Sequence, residues 1–196
     1  MARYSREHKA RSRAALVEAA AAAFRRHGYD GVGIDEICAR AGLTRGAFYG
    51  HFRSKADLYQ QVLAGNHDLV RRLSERRNRT ESGLAREAAR IACDYLDPSN
   101  AKGVLGGCSL AALAMDTIRA KPVARAAYAG AVRDVAKEFA RGIPGAEPDD
   151  ERVLAAVALC VGGLLVSNAC GGDPIGERLA AAASDTVTRL LRESAA

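Results

Sequence analysis

The 196-residue chain has no tryptophan, only five prolines, and an aromatic content of 5%. Alanine, the strongest helix former, supplies 41 residues, and no segment shows the sustained alternation of apolar and polar residues that is typical of a half-buried strand. The five cysteines are odd in number and widely spaced, without a Cys-x-x-Cys pair and away from the four histidines. The composition therefore excludes collagen-like, disordered and disulfide-scaffold classes, gives no zinc-ligand pattern, and predicts an all-α protein.

The chain also lacks the residue patterns of an enzyme. It has no paired carboxylates at meaningful spacing, no Ser-His-Asp order, no metal-binding cluster and no glycine-rich phosphate loop. No histidine follows His67, so the C-terminal two thirds lack the commonest general base. We expect no catalytic residues, no metal and no cofactor.

The sequence start carries no apolar leader, since Met1–Arg6 runs directly into charged sequence. We therefore expect a cytoplasmic protein with reduced thiols. The 20 residues from Val153 to Gly172 carry no charge, which is long enough to span a bilayer. Their four glycines, four alanines, Ser167 and Asn168 favour a buried helix instead, so we expect no membrane partner.

Positive charge is concentrated in the first third of the chain, although the formal net charge of the whole is +6. Residues 1–60 contain 11 Lys and Arg against 6 Asp and Glu, whereas residues 61–196 contain 18 against 17. This distribution indicates a polyanionic partner for the N-terminal part. A basic surface with a loose N-terminal tail would give the same count.

Apolar spacing and turn residues predict about nine helices. In the N-terminal part we expect them near residues 11–27, 34–41, 44–50 and 54–78. In the C-terminal part we expect them near residues 83–96, 106–120, 122–141, 149–170 and 174–194. We predict an N-terminal domain over 1–60, with 54–78 as the connecting helix, and a second helical domain over 79–196.

Gly42-Leu43 joins two short helices in a helix-turn-helix pattern, in which the second helix can lie in a DNA major groove. Small residues at Gly46 and Ala47 let this helix approach DNA closely, and Arg45 can reach a guanine edge or a phosphate.

The run from Ala41 to Leu58, AGLTRGAFYGHFRSKADL, makes residues 11–63 resemble the DNA-binding domain of TetR-family transcriptional regulators. The resemblance implies phosphate contacts from Thr44, Tyr49, His51 and Lys55, and base contacts from Arg45, Gly46 and Ala47. Packing between helices is the alternative role for Tyr49 and His51, and a solvated first-turn position is the alternative for Lys55.

One position departs from the family pattern. Where the family often has two threonines before the second helix, this chain has Val32-Gly33. Gly33 can cap the helix but offers no hydroxyl, so a phosphate contact there depends on its backbone amide. The basic start of the chain is either an arm that reaches DNA or a solvated tail; its cations are Arg3, Arg6, Lys9, Arg11 and Arg13.

For the remainder, the resemblance implies a homodimer that pairs through its last two helices. It also implies a small-molecule effector that releases a repressor from double-stranded operator DNA. Candidate pocket residues are Tyr95, Cys108, Met115, Tyr128 and Phe139, with core packing as the alternative for each.

Two alternative functions stay open at this stage. Cys108 follows Gly106-Gly107 at an expected helix N-terminus, where the helix dipole can stabilise a thiolate, so it can be a sensor of electrophiles or oxidants. A small residue packed at a tight helix entry is the plainer interpretation of Cys108. A DNA-binding module that responds to no ligand is the second alternative.

Overall fold

The computed structural model describes residues 2–65, 68–97 and 108–192, and their side chains from Glu7 onward. Throughout these residues the only regular secondary structure is helical, which confirms the predicted all-α class. The helices are α1 (Ala2–His27), α2 (Ile34–Arg40), α3 (Arg45–Tyr49), α4 (Lys55–Leu63), α5 (Asp68–Ser74), α6 (Glu81–Leu96), α7 (Ser109–Ala112), α8 (Ala114–Arg119), α9 (Pro122–Ala140), α10 (Glu151–Ala169) and α11 (Pro174–Arg192).

Two predicted helices are each divided in two, so the described residues form eleven helices where about nine are expected. The predicted helix over 106–120 is divided at Leu113, whose ψ of 5° interrupts the helical repeat between α7 and α8. Gly106 and Gly107 lie outside the described residues. The predicted connecting helix over 54–78 comprises α4 and α5, and α4 ends with Ala64 as its C-cap.

Helix α1 begins at Ala2, nine residues before the predicted start. The expectation of a flexible basic start was therefore wrong, because residues 2–10 contain no glycine or proline that would end the helix. The side chains of Arg3 and Arg6 lie outside the part of the chain whose side chains the structure describes. Arg13 is an ordered part of α1, with its guanidinium 5.3 Å from the ring centre of Phe52.

The N-terminal core forms around one face of α1. Leu16, Ala20 and Phe24, spaced at i, i+4 and i+8, are completely buried there. Truncating a fully buried phenylalanine such as Phe24 typically costs about 3–5 kcal/mol of stability. Leu113 and Ala124 from the C-terminal half also belong to this core, so the two halves of the chain share packed surface.

The C-terminal core is built from α5, α6, α9, α10 and α11, with Phe139 and Leu164 among its buried residues. Arg76 fixes the segment after α5 to this core. Its side chain is 1% exposed, and its guanidinium donates to the backbone carbonyls of Leu73, Leu84 and Glu138.

Helix α10 is long and apolar enough to cross a membrane by length and composition, with a mean hydropathy of 1.8. Only a third of that apolar stretch is buried within the chain. Its buried side, which includes Val153 and Cys160, packs against α11 and α6. Leu154 and Val166 are each 45% exposed, so a second, apolar side of α10 faces outward.

Candidate nucleic-acid interface

A sharp backbone reversal after α2 sets the direction of α3. Gly42 has a φ of +66°, a conformation that favours glycine. The amide of Gly42 donates to the carbonyl of Ala39, and the amide of Leu43 donates to that of Cys38. This is the Schellman arrangement, which ends α2 and satisfies two of its last carbonyls.

Helix α3 turns its polar side outward because a single aromatic residue anchors its other side. Phe48 is completely buried, whereas Thr44, Arg45 and Gly46 are all exposed. The Thr44 hydroxyl caps α3 by accepting from the amide of Ala47 at 3.2 Å. Its own O–H proton is still able to donate to a phosphate oxygen.

Arg45 and Tyr49 lie together on this outward side. The guanidinium of Arg45 lies 3.0 Å from the carboxylate of Asp35 on α2, and 5.9 Å from the ring centre of Tyr49. The Tyr49 side chain is 51% exposed and packs edge-on against Phe48. The neighbouring Tyr49 side chain and the charge of Asp35 raise the pKa of Arg45.

His51 is half-buried just after α3. Burial lowers the pKa of His51, and the nearby charges of Lys9 and Arg13 lower it further. The imidazole is therefore neutral at neutral pH, when it has one N–H to donate.

Lys55, at the start of α4, holds the turn between α1 and α2. Its ammonium donates to the carbonyls of Tyr29 (2.9 Å) and Val32 (3.0 Å), and lies 4.3 Å from the Tyr29 ring centre. An ammonium has three protons, so these two bonds leave one for a phosphate. The sequence predicts either a phosphate contact or a solvated position for Lys55. The bonds to Tyr29 and Val32 give it a structural role that neither alternative includes.

Ser54 is the N-cap of α4, and the reciprocal half of its capping box is shifted by one residue. The Ser54 hydroxyl accepts from the amide of Asp57. The Asp57 carboxylate accepts from the amide of Arg53, one residue before the N-cap. Both bonds hold the chain that enters α4 directly after the helix-turn-helix.

Gly33 is the exposed N-cap of α2, in an extended conformation with φ −90° and ψ 160°. A Cβ at this position would have no heavy atom within 4 Å. Gly33 therefore caps α2 without a hydroxyl, as the sequence predicts, and the space around it is open enough for a side chain.

Four of the five predicted pocket residues come together in the C-terminal half. Tyr95, Cys108 and Phe139 are buried in one core, and Tyr128 packs against it. Met115 does not join them, because α8 directs it outward, where it is 54% exposed.

Cys108 lies in the centre of this group. Its sulfur accepts from the hydroxyl of Tyr95 and from the amide of Ala111, the latter at 3.4 Å at the start of α7. Burial raises the pKa of the Cys108 thiol, although these hydrogen bonds oppose the shift. The dipole effect expected from the sequence is thus outweighed, and the thiol is protonated at neutral pH.

Three further contacts join the two halves, and the sequence offers no local signal for them. The Tyr29 amide donates to the Asp116 carboxylate at 3.0 Å, and the Tyr59 hydroxyl lies 3.2 Å from the Thr117 hydroxyl. The Arg25 guanidinium donates to the hydroxyl of Ser109 at 3.2 Å. These partners are separated by 58 to 87 positions along the chain, so only the tertiary structure brings them together.

Comparison with known proteins agrees with this geometry. The model of the family "Bacterial regulatory proteins, tetR family" matches residues 16–62, which contain the helix-turn-helix. The transcriptional regulator TtgR of Pseudomonas putida is 40% identical over 78 residues, which are 38% of this chain and 37% of TtgR. The matched part thus spans little more than a third of this curated relative.

Solved structures extend the similarity to nearly the whole chain. SCO4454, a TetR-family transcriptional regulator from Streptomyces coelicolor, is 25% identical with a TM-score of 0.68, over 95% of this chain and 97% of its own. SmeT, the repressor of a Stenotrophomonas maltophilia multidrug efflux pump, has the same fold. In complex with triclosan it is 18% identical with a TM-score of 0.60, over 90% of this chain and 89% of its own.

The matching domain, the shared whole-chain fold and the exposed polar side of α3 agree with one another: residues 16–62 match the TetR family, and nearly the whole chain has the fold of TetR-family transcriptional regulators.

Proposed function

We propose that the protein is a ligand-responsive repressor that binds double-stranded operator DNA as a homodimer in the cytoplasm. Residues 1–60 form its DNA-binding domain, and residues 79–196 form its effector-binding and dimerisation domain. The α4–α5 segment connects them.

The observation that carries this proposal is the outward side of α3. Because Phe48 is buried, the opposite side of α3 faces solvent. This side carries the hydroxyl of Thr44, the guanidinium of Arg45 and the bare backbone of Gly46. A helix with this surface suits a major groove, since guanidinium groups read guanine edges and hydroxyl groups donate to phosphates. The net charge of +5 on residues 1–60 has the sign that DNA attracts.

The exposed apolar side of α10 supports the homodimer. Leu154 and Val166 lie on a helix whose apolar stretch is only one third buried in the single chain. A two-fold arrangement would cover this side with the same surface of a second copy. Helix α11, which packs against α10, also has small exposed residues, such as Ala181 and Ala182, that permit close helix packing.

The contacts between the two halves support a response to a ligand. Cys108, in the candidate pocket group, directly precedes Ser109, which accepts from Arg25 of α1. A ligand that displaces the start of α7 would disturb this contact and so bias the DNA-binding domain. Coupling between two such sites is typically about 1–3 kcal/mol. The triclosan bound to SmeT suggests an uncharged aromatic effector as the first class to screen.

DNA binding is tested with duplexes selected from a random pool by the purified protein. Affinity should fall steeply as salt rises, because phosphate contacts release counterions. Tyr49→Phe should weaken binding to all sequences by about threefold or more, as expected for one lost hydrogen bond. The proposal fails if the protein selects no sequence, or if its affinity does not depend on salt.

The homodimer and the effector have separate tests. Leu154→Arg should convert a dimer into a monomer in sedimentation velocity, whereas Val123→Arg, at a residue 58% exposed on α9, should leave the dimer intact. Screening apolar aromatic compounds for release of bound DNA tests the effector. A monomeric wild type would overturn the dimer, and a ligand that tightens DNA binding would overturn release.

A further inference from the structure

The turn between α1 and α2 is rich in glycine and begins α2 without a side-chain cap. Gly28 has a φ of +73°, and Gly31 leaves no room for a Cβ next to the carbonyl of His27. Gly33, the N-cap of α2, has no side chain to accept from the first amides of the helix. This turn determines how α2 enters the helix-turn-helix, so its position must be fixed by other groups.

Two ionised side chains from other helices hold the turn by its backbone. The Asp116 carboxylate, from α8, accepts from the amide of Tyr29 at 3.0 Å. The Lys55 ammonium, from α4, donates to the carbonyl of the same residue at 2.9 Å and to that of Val32. Hydrogen bonds to ionised groups are stronger than those between neutral groups.

The approach of Asp116 depends on Gly28. A Cβ at position 28 would lie 3.3 Å from the nearer Asp116 oxygen, which is tighter than an ordinary contact. The glycine therefore serves both the left-handed turn and the close approach of the carboxylate.

A second contact supports the first. Thr117, the neighbour of Asp116, lies 3.2 Å from the hydroxyl of Tyr59, and this pair is buried. The Tyr59 ring packs against that of Tyr29, with 4.8 Å between ring centres. Helix α8 thus meets Tyr29 directly through Asp116 and indirectly through Tyr59.

We propose that Asp116 is a positioning residue for DNA binding, which fixes the entry of α2 from the C-terminal half in place of a side-chain cap at Gly33. Its effect on DNA affinity rests on the proposed function. Its effect on the turn itself does not.

The test compares Asp116→Ala with Asp116→Asn, which keeps an acceptor oxygen, and with the control Asp134→Ala. Asp134 is an exposed carboxylate on α9 that pairs with Lys137, so this variant makes the same change of charge away from the turn. Native-state amide exchange at Tyr29 reports on the turn, and fluorescence anisotropy reports on DNA affinity. Global unfolding is measured in parallel.

In Asp116→Ala, exchange at Tyr29 should accelerate and DNA affinity should fall, each by about tenfold, which is the order expected for one hydrogen bond to an ionised group. Asp116→Asn should show a smaller change of the same sign, and Asp134→Ala should match the wild type. Adding Gly33→Ser, which has open space and supplies a local cap, should restore most of the DNA affinity of Asp116→Ala. A merely structural loss would lower the unfolding midpoint without this rescue.

Wild-type exchange at Tyr29 in Asp116→Ala would overturn the proposal. If Asp116→Ala does not fold, Asp116→Asn takes its place. Faster exchange at Tyr29 in Asp116→Asn, with DNA affinity restored by Gly33→Ser, then supports the proposal, and wild-type exchange overturns it. If the wild type binds no DNA, the proposed function fails, whereas the exchange measurements still test the position of the turn.

Discussion

The guanidinium of Arg45 lies 3.0 Å from the carboxylate of Asp35, so an ion pair joins α3 to α2. Both side chains are largely exposed, and such pairs contribute little to folding. The pair instead sets the direction of Arg45 relative to the groove it would enter. Binding a base would require this guanidinium to share or exchange its partner.

We expect Asp35→Asn to tighten DNA binding, because it removes a negative charge next to the phosphates and releases Arg45. Arg45→Ala should weaken binding to the selected sequence by about tenfold and reduce its preference over an unrelated duplex. Anisotropy titrations with both duplexes measure these effects. Unchanged preference in Arg45→Ala would show that Arg45 does not contact bases.

Gly46→Ala should separate stability from DNA binding. The new methyl group would lie 3.7 Å from the Thr44 hydroxyl, an ordinary contact, and alanine should stabilise α3 by up to about 1 kcal/mol. If the backbone at Gly46 approaches DNA, affinity should fall although the unfolding midpoint rises. Gly130→Ala, in open space on α9, is the control and should raise stability alone. Equal affinities of the two variants would place Gly46 away from DNA.

The lowered pKa of His51 predicts two opposite pH effects. The unfolded histidine has a pKa of about 6.5, and the folded value is lower, so this contribution to stability is complete above pH ~6.5 and is lost as the pH falls through the folded value. A nearby phosphate would raise the pKa, so DNA affinity should increase from about pH 7.5 to 5.5. Titrations of the wild type and His51→Gln at constant salt measure this, with His27→Gln as control. The same pH dependence in His51→Gln would assign it to another group.

Cys108 should resist alkylation in the native protein, because the residue is 1% exposed and burial raises the pKa of its thiol. Cys93 and Cys170 are only partly buried and should be labelled first. Mass spectrometry after a short iodoacetamide pulse gives the order, and a denatured sample shows that all sites can react. Preferential labelling of Cys108 would revive the thiol-sensor alternative.

The fold was largely predictable from local signals in the sequence. The spacing of Leu16, Ala20 and Phe24 predicts the buried side of α1, and Gly42 predicts the sharp end of α2. The start of α1 was missed because residues 2–10 have helix propensity but no apolar spacing to show it. The division at Leu113 was missed because no glycine or proline marks it.

The candidate site was predictable only in its residue types. The helix-turn-helix run indicates which side chains α3 offers, but Asp35 and Asp116 became visible only through tertiary contacts. The position of Lys55 shows the same limit, since no sequence pattern predicts that its ammonium bonds to the carbonyls of Tyr29 and Val32. The charge of a residue follows from its type, whereas its partners follow from the fold.

The exposed apolar side of α10 has a consequence for gene dosage. Pairing of two chains is second order, so at low expression the amount of proposed dimer, and with it the occupied fraction of an operator, rises with the square of chain concentration. Halving the synthesis of this protein would then lower occupancy by up to about fourfold. Substitutions at Leu154 or Val166, which lie on α10 and outside the helix-turn-helix, would change that response.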